Sequence, residues 1–345
     1  MPGALPIADL EHVLAQTAPE WEQMRGRRLF VSGGTGFFGR WLLESFLLAN
    51  ERLDLGAEAL VLTRDAAAFL HKAPHLADRS ALRFHEGDVR DFSFPPGKFD
   101  AIIHAATEAS AKLNDENPGL MLETIVEGMK TMVKFARACG AGTMLLTSSG
   151  AVYGAQPPDL ERTPEDFMGA PDVSAANAAY GEGKRVSELL GQIESRRGLK
   201  VKIARCYAFV GPGLPLDAHF AVGNFIRDAL AGRPIVIQGD GTPVRSYLYA
   251  ADLAVWLWKI LFAGASGRPY NVGSAAPVSI AETAAAVARA LGSSSRIIVN
   301  QQPVPGRKPA RYVPETTRAE RELGLRAWIG LDEGIRRTAQ WNKNS

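Results

Sequence analysis

Apolar residues along this chain occur in short, nearly continuous runs that are separated by longer stretches with helical spacing. Six of the runs have the apolar character of buried strands and lie at residues 28–31, 59–63, 82–87, 99–104, 143–147 and 201–205. Apolar residues recur every three to four positions near 41–48, 116–139 and 176–197, and this period predicts amphipathic helices. Strands buried on both faces that alternate with helices indicate an α/β fold with a parallel sheet covered on both sides.

Both ends of the chain depart from this alternation. Residues 7–24 have the spacing of an amphipathic helix that precedes the first strand. After residue 205 proline and glycine become frequent, as in Gly211-Pro212-Gly213, and the alternation weakens. We therefore expect an N-terminal helical extension at 1–26 and a smaller C-terminal part after residue 205.

A glycine-rich turn joins the first predicted strand to the helix that follows it. Its glycines are Gly33, Gly36 and Gly39, spaced Gly-x-x-Gly-x-x-Gly. Glycines let the backbone turn sharply and approach a pyrophosphate closely, and the N-terminus of the next helix offers free N–H groups and a positive dipole end to the anion. The strand, turn and helix predict the first unit of a dinucleotide-binding fold; the motif alone leaves an ordinary glycine-rich turn as the alternative.

Composition narrows the function classes. The chain has 345 residues and a net charge of +2 without a basic block, so nothing indicates nucleic acid as a partner. No apolar run reaches the roughly 18 residues of a membrane helix, and the start of the chain lacks the features of a signal peptide. Cys139 and Cys206 alone form neither a disulfide framework nor a zinc site, and the histidines at 71, 75, 85, 104 and 219 lack metal-ligand spacing. We expect a cytoplasmic protein without a metal or a membrane partner.

Tyr180 and Lys184 are four residues apart at the start of a predicted helix, which puts them on one helical face. An ammonium near a phenol favours the phenolate and lowers the phenol pKa, and a positively charged nicotinamide ring would add to this effect. The pair would then act as a general acid/base for a hydroxyl proton near neutral pH. Tyr-x-x-x-Lys also occurs by chance in many helices, and its position after the glycine-rich turn gives it weight.

Ser148 and Ser149 stand at the carboxyl end of the fifth predicted strand, which is where open α/β sheets bind their ligands. A serine at this place can hydrogen-bond a hydroxyl or keto oxygen of a substrate. The alternative is a turn in which the serine hydroxyls satisfy backbone groups.

In this order, the motifs resemble those of the extended short-chain dehydrogenase/reductases, and more narrowly of the NAD-dependent epimerase/dehydratase group that acts on nucleotide sugars. The resemblance covers roughly residues 27–340. The motifs that carry it are Gly33-x-x-Gly36-x-x-Gly39, Gly87-Asp88-Val89-Arg90-Asp91, Ile103-His104-Ala105-Ala106, Ser149-x-x-Val152-Tyr153-Gly154, Tyr180-x-x-x-Lys184, Gly239-Asp240-Gly241-x-x-x-Arg245-Ser246-Tyr247-Leu248-Tyr249 and Arg321-Glu322-Leu323-Gly324.

The resemblance implies a Rossmann-type doubly wound parallel sheet with a smaller mixed α/β C-terminal substrate-binding part. The NAD(P)-binding domain would span 27–205 with a return segment near 243–262. The substrate-binding part would comprise 206–242 and 263–345. Helices near 116–139 and 176–197 match those that form a four-helix dimer contact in relatives, so a homodimer is expected.

The resemblance also implies roles for single residues. Tyr180 would be the catalytic acid/base, Lys184 would hold the nicotinamide ribose and tune Tyr180, and Ser149 would hold the reacting sugar oxygen. Arg245 matches an arginine that binds the diphosphate of a nucleotide sugar, a task that suits a guanidinium; a solvated surface arginine is the alternative. The implied cofactor-binding positions are Gly33, Gly36, Phe37, Phe38, Gly39, Thr63, Arg64, Asp88, Val89, Ala105, Ala106, Thr107, Tyr180, Lys184 and Tyr207.

One departure from the family pattern concerns the chemistry. Dehydratases and decarboxylases of the group carry an acidic residue between the catalytic Ser or Thr and the Val-Tyr-Gly step, whereas this chain has Gly150-Ala151. Without that carboxylate we argue against a 4,6-dehydratase and a decarboxylase. Hydride transfer with Tyr180 alone remains, which is the chemistry of a 4-epimerase or a 4-ketoreductase.

A second departure concerns the cofactor. Many relatives end the second strand with an aspartate that binds the adenosine ribose and favours NAD, whereas this chain has Thr63 followed by Arg64. An arginine there can pair with a 2′-phosphate, so NADP is slightly favoured over NAD. Asp65 could instead take the ribose role or neutralise Arg64, and Arg64 could simply stack on the adenine.

Two further departures lie at positions that contact substrate in relatives. The family often has an asparagine after the sixth strand, and this chain has Ala208 there. The family also has an asparagine in the helix after the fourth strand, and this chain has Ile125 there. Neither side chain can make the amide hydrogen bond, so the substrate or its pose would differ from that of relatives. The substrate-binding set is then Ser149, Tyr180, Ala208 and Arg245.

The interpretation that follows is an NAD(P)-dependent nucleotide-sugar 4-epimerase or 4-ketoreductase. An epimerase would oxidise the C4 hydroxyl, let the keto sugar rotate and reduce its other face, whereas a reductase would reduce a 4-keto sugar once. Two alternatives are an NADP-dependent reductase of a non-nucleotide ketone or alcohol, and a catalytically silent NAD(P)-binding protein.

Overall fold

A seven-stranded sheet lies at the centre of the computed structural model, which describes residues 3–107, 111–218 and 220–344. The strands in these ranges are β1 (Arg28–Ser32), β2 (Glu58–Thr63), β3 (Leu82–Glu86), β4 (Ala101–His104), β5 (Thr143–Ser149), β6 (Lys200–Cys206), β7 (Phe209–Val210), β8 (Ile235–Ile237), β9 (Val244–Arg245), β10 (Leu248–Tyr249), β11 (Pro269–Val272), β12 (Val278–Ser279) and β13 (Ile297–Val299). The sheet order is β3-β2-β1-β4-β5-β6-β11 and each neighbouring pair is parallel. The chain winds outward from β1 in both directions, which confirms the predicted doubly wound, Rossmann-type sheet.

Helices cover both faces of this sheet. Within the described ranges they are α1 (Ile7–Thr17), α2 (Phe37–Arg52), α3 (Ala66–Lys72), α4 (Ala111–Glu116), α5 (Pro118–Cys139), α6 (Ala179–Ser195), α7 (Ala221–Leu230), α8 (Ala250–Ala263), α9 (Ile280–Leu291), α10 (Thr317–Leu323) and α11 (Leu331–Asn344). None of these helices is both long and apolar enough to span a bilayer. The predicted helices at 41–48, 116–139 and 176–197 correspond to α2, α5 and α6.

The side chains of β1 show how the sheet separates two cores. Leu29 and Val31 face the core that contains α2 and α8, and Phe30 faces the core that contains α5. All three side chains are at most 1% exposed. Because successive side chains of a strand point to opposite faces, the continuous apolar run in the sequence is what a strand buried on both faces requires.

The seventh strand, β11, was not predicted. Pro269 pairs with Ile203 and Val272 with Cys206, so these residues belong to the main sheet although the sequence analysis placed 263–345 in the substrate-binding part. The strand has four residues and begins with a proline, which lacks the N–H of a ladder donor. Proline is tolerated at the first position of an edge strand, and such a short segment has no clear apolar period.

The smaller C-terminal part consists of short strand pairs and helices. β8 pairs with β13 in parallel, β9 pairs with β12 antiparallel and β7 pairs with β10 in parallel. The helices α7 and α9 pack together beside the β8–β13 pair, and α11 packs on both helices. This arrangement confirms a smaller mixed α/β part.

The α-helix of the N-terminal extension is shorter than predicted. The α-helix ends at Thr17 and a 3₁₀ turn continues from Ala18 to Met24. Pro19 explains the break, because its nitrogen cannot donate to the carbonyl four residues earlier. Trp21 is fully buried and packs on Trp258 of α8, with ring centroids 4.5 Å apart.

Polar contacts tie α1 to two distant segments. Asp9 is 1% exposed, accepts a hydrogen bond from the Tyr249 hydroxyl at 2.5 Å and forms an ion pair with Arg337 of α11. The Trp341 indole N–H donates to the Ala4 carbonyl at 2.9 Å. The extension is therefore an integral part of the folded unit.

Candidate active site

The predicted site residues gather at one edge of the sheet. Ser149 is the last residue of β5, Thr107 follows β4 and Tyr207 follows β6. The carboxyl ends of parallel strands share an edge, and open α/β sheets bind ligands beyond that edge. The fold thus brings together side chains that are far apart in sequence.

The glycine-rich turn has the close contacts that exclude side chains. Gly33 has φ +76°, and a Cβ there would lie 2.4 Å from the carbonyl carbon and oxygen of Ala105. A Cβ on Gly39 would lie 2.3 Å from the Gly33 carbonyl oxygen. No side chain of the described residues caps the N-terminus of α2 after Gly36, and this leaves its first N–H groups available to a ligand. Phe37 and Phe38 are the first two residues of α2 and are only partly buried.

The residues predicted to contact the adenosine end follow β2 and β3. Thr63 is buried, whereas the Arg64 side chain is exposed and forms no ion pair with a carboxylate of the described residues. Asp65 caps α3 by accepting from the Ala68 N–H at 2.8 Å, so its carboxylate is already engaged. Asp88 accepts from Arg90, and this contact holds the pKa of Asp88 below its usual value.

The catalytic candidates form one cluster. The Tyr180 phenol lies near the Ser149 hydroxyl. The Lys184 ammonium is buried and donates to the Thr147 carbonyl at 2.8 Å and to the Thr107 hydroxyl at 2.9 Å. An ammonium has three protons, so these two contacts leave one for a ligand. The three predicted residues therefore lie together at the sheet edge.

The predicted lowering of the Tyr180 pKa is wrong for the protein alone. Burial raises the pKa of Tyr180 to about 12, although the hydrogen bond with Ser149 lowers it in part. Burial also lowers the pKa of Lys184 to about 8. The Lys184 nitrogen lies over the Tyr180 ring, 5.8 Å from its centroid, and donates to other oxygens. In the protein alone, burial therefore keeps Tyr180 protonated near neutral pH.

A second phenol, which the sequence analysis missed, lies in this cluster. The Tyr312 hydroxyl is 3.4 Å from the Ser149 Oγ, and its ring packs on Tyr207 with centroids 4.5 Å apart. A Cβ on Gly150 would lie 2.6 Å from Tyr207 Cζ and 2.8 Å from the Tyr312 oxygen. Tyr312 follows a proline- and arginine-rich stretch without a motif, so the sequence carries no signal for it.

A buried polar network, which the sequence did not predict, lies beside the cluster. Ser148 donates to the Glu188 carboxylate at 2.5 Å, and Arg205 forms an ion pair with the same carboxylate at 2.6 Å. Arg205 also donates to the Tyr153 hydroxyl at 2.7 Å. The network links the end of β5 to α6 and β6. The available signal was the spacing of Glu188, four residues after Lys184 on the same helical face.

His104 is a buried neutral histidine beside the glycine-rich turn. It is 4% exposed, and its Nδ1 lies 2.8 Å from the Ser32 hydroxyl. Burial and the nearby Lys184 lower the pKa of His104 to about 3. The unfolded chain has an ordinary histidine pKa of about 6.5, so it binds more protons than the folded chain between these values. The stability that the neutral histidine contributes is therefore present above about pH 6.5 and is lost as the pH falls toward 3.

We expect the substitution His104→Asn to reduce the acid sensitivity of folding. Lowering the pH from 7 to 5 should cost the wild type about 2 kcal/mol more unfolding free energy than the variant, because only the wild type must keep this imidazole neutral. Urea unfolding at both pH values measures the difference. His71→Asn, at an exposed position, is the control and should keep the wild-type pH dependence. An equal loss in wild type and His104→Asn would contradict the assignment.

The substrate-facing candidates lie at the border of the C-terminal part. Arg245 is half-buried, donates to its own neighbour's carbonyl (Val244, 2.9 Å) and forms no ion pair with a carboxylate within the described ranges. The Ala208 side chain has no hydrogen-bonding group, and its backbone carbonyl accepts a hydrogen bond from the Leu248 N–H. Ile125 is 2% exposed and packs on α6, where a Cβ on Gly183 would lie 3.1–3.2 Å from it. Ile125 is therefore a packing residue between α5 and α6.

A cleft of about 350 Å³ opens in the C-terminal part. Asn224 of α7 lines one side, and its side-chain oxygen is buried without a hydrogen-bond partner among the described residues. Gln238 and Gly239 line another side, seven and six positions before Arg245. A planar ligand with hydrogen-bond donors would satisfy the orphan oxygen.

Metal binding finds no support in the described ranges, where no three His, Cys, Asp or Glu side chains form a group able to hold an ion. His219, one of the histidines considered in the sequence analysis, lies outside the described residues.

Comparison with known proteins extends these observations. The sequence profile of the NAD dependent epimerase/dehydratase family matches residues 29–273. The chain is 30% identical over 310 residues to UDP-glucuronic acid decarboxylase 3 of Arabidopsis thaliana, an alignment that covers 89% of this chain and 86% of the relative. It is 27% identical over 339 residues to UDP-glucuronic acid decarboxylase 1 of Xenopus tropicalis, which covers 97% of this chain and 77% of the relative.

Solved structures give the same picture. The dTDP-glucose 4,6-dehydratase DesIV from Streptomyces venezuelae, solved with NAD and TYD bound, is 28% identical with a TM-score of 0.77, and 92% of this chain and 97% of that chain are covered. The UDP-glucose 4-epimerase from Thermotoga maritima, solved with UDP-glucose, has a TM-score of 0.77, 19% identity and coverage of 92% and 99%. At this identity, the likeness to the epimerase concerns the fold.

Proposed function

Because this chain belongs to the NAD-dependent epimerase/dehydratase family, we propose that it is a nucleotide-sugar 4-epimerase or 4-ketoreductase. The observation that carries the proposal is the cluster of Ser149, Tyr180 and Lys184 beside the glycine-rich turn, with no acidic side chain at Gly150-Ala151. This set can move one proton at a reacting oxygen, and it lacks the carboxylate with which to expel a hydroxyl or to assist decarboxylation.

The residues present fit a nicotinamide dinucleotide. The turn at Gly33 and Gly39 leaves backbone where side chains would otherwise stand, and the uncapped start of α2 suits a pyrophosphate. We propose NADP in preference to NAD, because the exposed Arg64 follows β2 and Asp65 is engaged as the cap of α3. When bound, the nicotinamide ring supplies hydride exchange and, in its oxidised form, a positive charge.

Each residue of the cluster has a distinct task in this chemistry. Tyr180 takes or returns the proton of the C4 oxygen. Ser149 hydrogen-bonds the same oxygen and fixes its distance from Tyr180. Lys184 offers its remaining proton to a ribose hydroxyl, and its two protein contacts hold it in place at the sheet edge.

Decarboxylase activity, which the names of the curated relatives raise as a possibility, is disfavoured by the space around Gly150. Tyr207 and Tyr312 lie where a side chain at this position would begin. An acidic residue could not be accommodated without moving both rings. The proposal therefore differs from the activity named for those relatives.

Recognition of the nucleotide diphosphate is proposed for Arg245 and the cleft beside Asn224. The Arg245 guanidinium forms no ion pair with a carboxylate of the described residues, and its planar donors suit phosphate oxygens. The orphan Asn224 oxygen suits a base N–H. A bound nucleotide sugar would then extend from the cleft, past Arg245, to Tyr180.

Purification without added cofactor tests the function. Retained NAD or NADH, detected by mass spectrometry and absorbance, would favour an epimerase that recycles its cofactor, and UDP-sugars would then be assayed for 4-epimerisation. A cofactor-free protein that binds NADPH more tightly than NADH would favour the reductase, and 4-keto sugar nucleotides would be assayed. Turnover of non-nucleotide ketones only, or of no substrate at all, would contradict the proposal.

We also propose that the chain forms a homodimer through α5 and α6. The two helices pack together, and α6 exposes Val186, Leu189 and Ile193 at helical spacing, with Leu122 of α5 also 39% exposed. A second copy that presents the same apolar face would cover these side chains.

Leu189→Glu should convert the dimer to a monomer, because Leu189 is 61% exposed on this face and a buried charge without a partner is costly. Light scattering coupled to size exclusion measures the mass. Val304→Glu, at an exposed position in the C-terminal part, is the control and should leave the mass unchanged. A wild-type monomer at micromolar concentration would contradict the proposal.

A further inference from the structure

Ser149 lies between two phenols. Its hydroxyl oxygen lies 3.4 Å from the Tyr312 hydroxyl on one side. On the other side it lies near the Tyr180 phenol, whose pKa it lowers against the larger opposing effect of burial. The Ala151 N–H donates to the same hydroxyl oxygen at 3.1 Å. Three groups of the protein therefore share one serine oxygen.

The donors and acceptors of this arrangement can be counted. A serine hydroxyl has one proton and two lone pairs, and the Ala151 N–H uses one lone pair. The serine proton can go to only one phenol oxygen. The Tyr312 hydroxyl also has one proton, and two acceptors lie within its reach: the Ser149 oxygen at 3.4 Å and the Cys206 carbonyl at 3.5 Å. Tyr180 as a phenolate has no proton to give. When Ser149 donates to that phenolate, its remaining lone pair becomes an acceptor for the Tyr312 proton.

We propose that Tyr312 is a positioning residue that directs the Ser149 proton toward Tyr180 and thereby stabilises the Tyr180 phenolate. This inference rests on the proposed function of Tyr180 as the acid/base. Tyr312 acts through Ser149 and needs no contact with the substrate for this effect. The Tyr312 hydroxyl is a neutral donor beside Gly150, the place where dehydratases and decarboxylases of the family carry an acidic residue.

The surroundings of Tyr312 hold it in this role. Its N–H donates to the Val244 carbonyl at 3.0 Å, which places the 310–313 segment against β9, and its ring packs on Tyr207. Gly150 provides the space, since a Cβ there would lie 2.8 Å from the Tyr312 oxygen. The absence of a side chain at Gly150 and the presence of a phenol at 312 are thus two halves of one arrangement.

The titratable and charged groups around the two phenols can be named. Tyr180 of α6 faces Tyr312, the Cys206 thiol of β6 and Lys184 of its own helix. Tyr312 faces Tyr180, Cys206, Tyr207 and the Arg245 guanidinium of β9. Burial raises the pKa of the Cys206 thiol to about 12, so it stays protonated near neutral pH. The Tyr312 effect is therefore expected to travel through Ser149.

The test is the pKa of Tyr180, measured by NMR on protein labelled with ¹³C at the Cζ of its tyrosines and saturated with NAD⁺. The chain has seven tyrosines, and Tyr180→Phe and Tyr312→Phe assign the two signals. We expect Tyr312→Phe to raise the Tyr180 pKa by about one unit, because the hydroxyl is lost and the ring packing is kept. The pH at which kcat falls on the acid side should rise by the same amount.

Two further variants complete the test. Gly150→Ala should also raise the Tyr180 pKa, because its Cβ displaces Tyr312 and Tyr207. Tyr270→Phe removes a phenol hydroxyl of β11 that donates to Glu322 of α10. It should leave the Tyr180 pKa unchanged. An unchanged Tyr180 pKa in Tyr312→Phe would overturn the inference. The NMR readout needs no sugar substrate, so this result is distinct from a failure of the proposed function.

Discussion

Tyr180→Phe is expected to lower turnover by about 10²–10⁴-fold, the usual contribution of a general acid/base. The substitution removes only the hydroxyl, so the ring keeps its place over Lys184. Ser149 and Lys184 retain their contacts with Tyr312, Thr147 and Thr107. The affinity for the nicotinamide cofactor should therefore stay within a few-fold of the wild-type value.

Turnover of the sugar nucleotide and cofactor binding by calorimetry measure the two parts of this expectation. Tyr270→Phe is again the matched control, because it loses a hydroxyl that contacts the Ala265 N–H and the Glu322 carboxylate and no residue of the catalytic cluster among the described residues. Turnover at the wild-type rate in Tyr180→Phe would remove the acid/base assignment. Loss of cofactor affinity together with turnover would indicate a structural role for this hydroxyl.

Arg245→Ala is expected to raise the KM for a nucleotide sugar by about 10- to 100-fold, because a hydrogen bond to a charged group contributes roughly 1.5–3 kcal/mol. The guanidinium has no carboxylate partner among the described residues, so its removal leaves no buried charge behind. The value of kcat should change little, since the diphosphate is bound equally in the ground state and the transition state.

Two variants control this measurement. Arg245→Lys keeps the charge but loses the planar fork, and its KM should lie between those of the wild type and Arg245→Ala. Arg296→Ala removes an exposed arginine from the same C-terminal part and should leave KM unchanged. An unaltered KM in Arg245→Ala would remove the diphosphate role and favour a non-nucleotide substrate.

The sequence predicted the features that depend on local pattern. The six strands, the glycine turn and the Tyr180–Lys184 helix all follow from apolar periodicity and short motifs, and the sheet confirms their arrangement. The strand β11 escaped because its four residues include Pro269 and the polar Asn271, whereas the equally short β4 has an apolar run. Local pattern thus suffices where successive residues of an element are apolar.

The sequence did not predict the contacts between distant segments. Ser149 and Tyr312 are 163 positions apart, and no motif marks the second residue. The pKa of Tyr180 was predicted in the wrong direction because spacing puts Lys184 on the same face but does not report burial. Both errors concern what surrounds a residue in three dimensions, and only the folded structure shows that.

The ties of α1 set an order of events during synthesis. Asp9 leaves the ribosome long before its partners, since Tyr249 follows 240 positions later and Arg337 follows 328 positions later. At roughly 5–20 residues per second, the wait for Arg337 is about 15–65 s. During this interval, the buried side of α1 lacks the partners that it has in the folded protein. A circular permutant that joins α1 directly after α11 would shorten this wait to seconds.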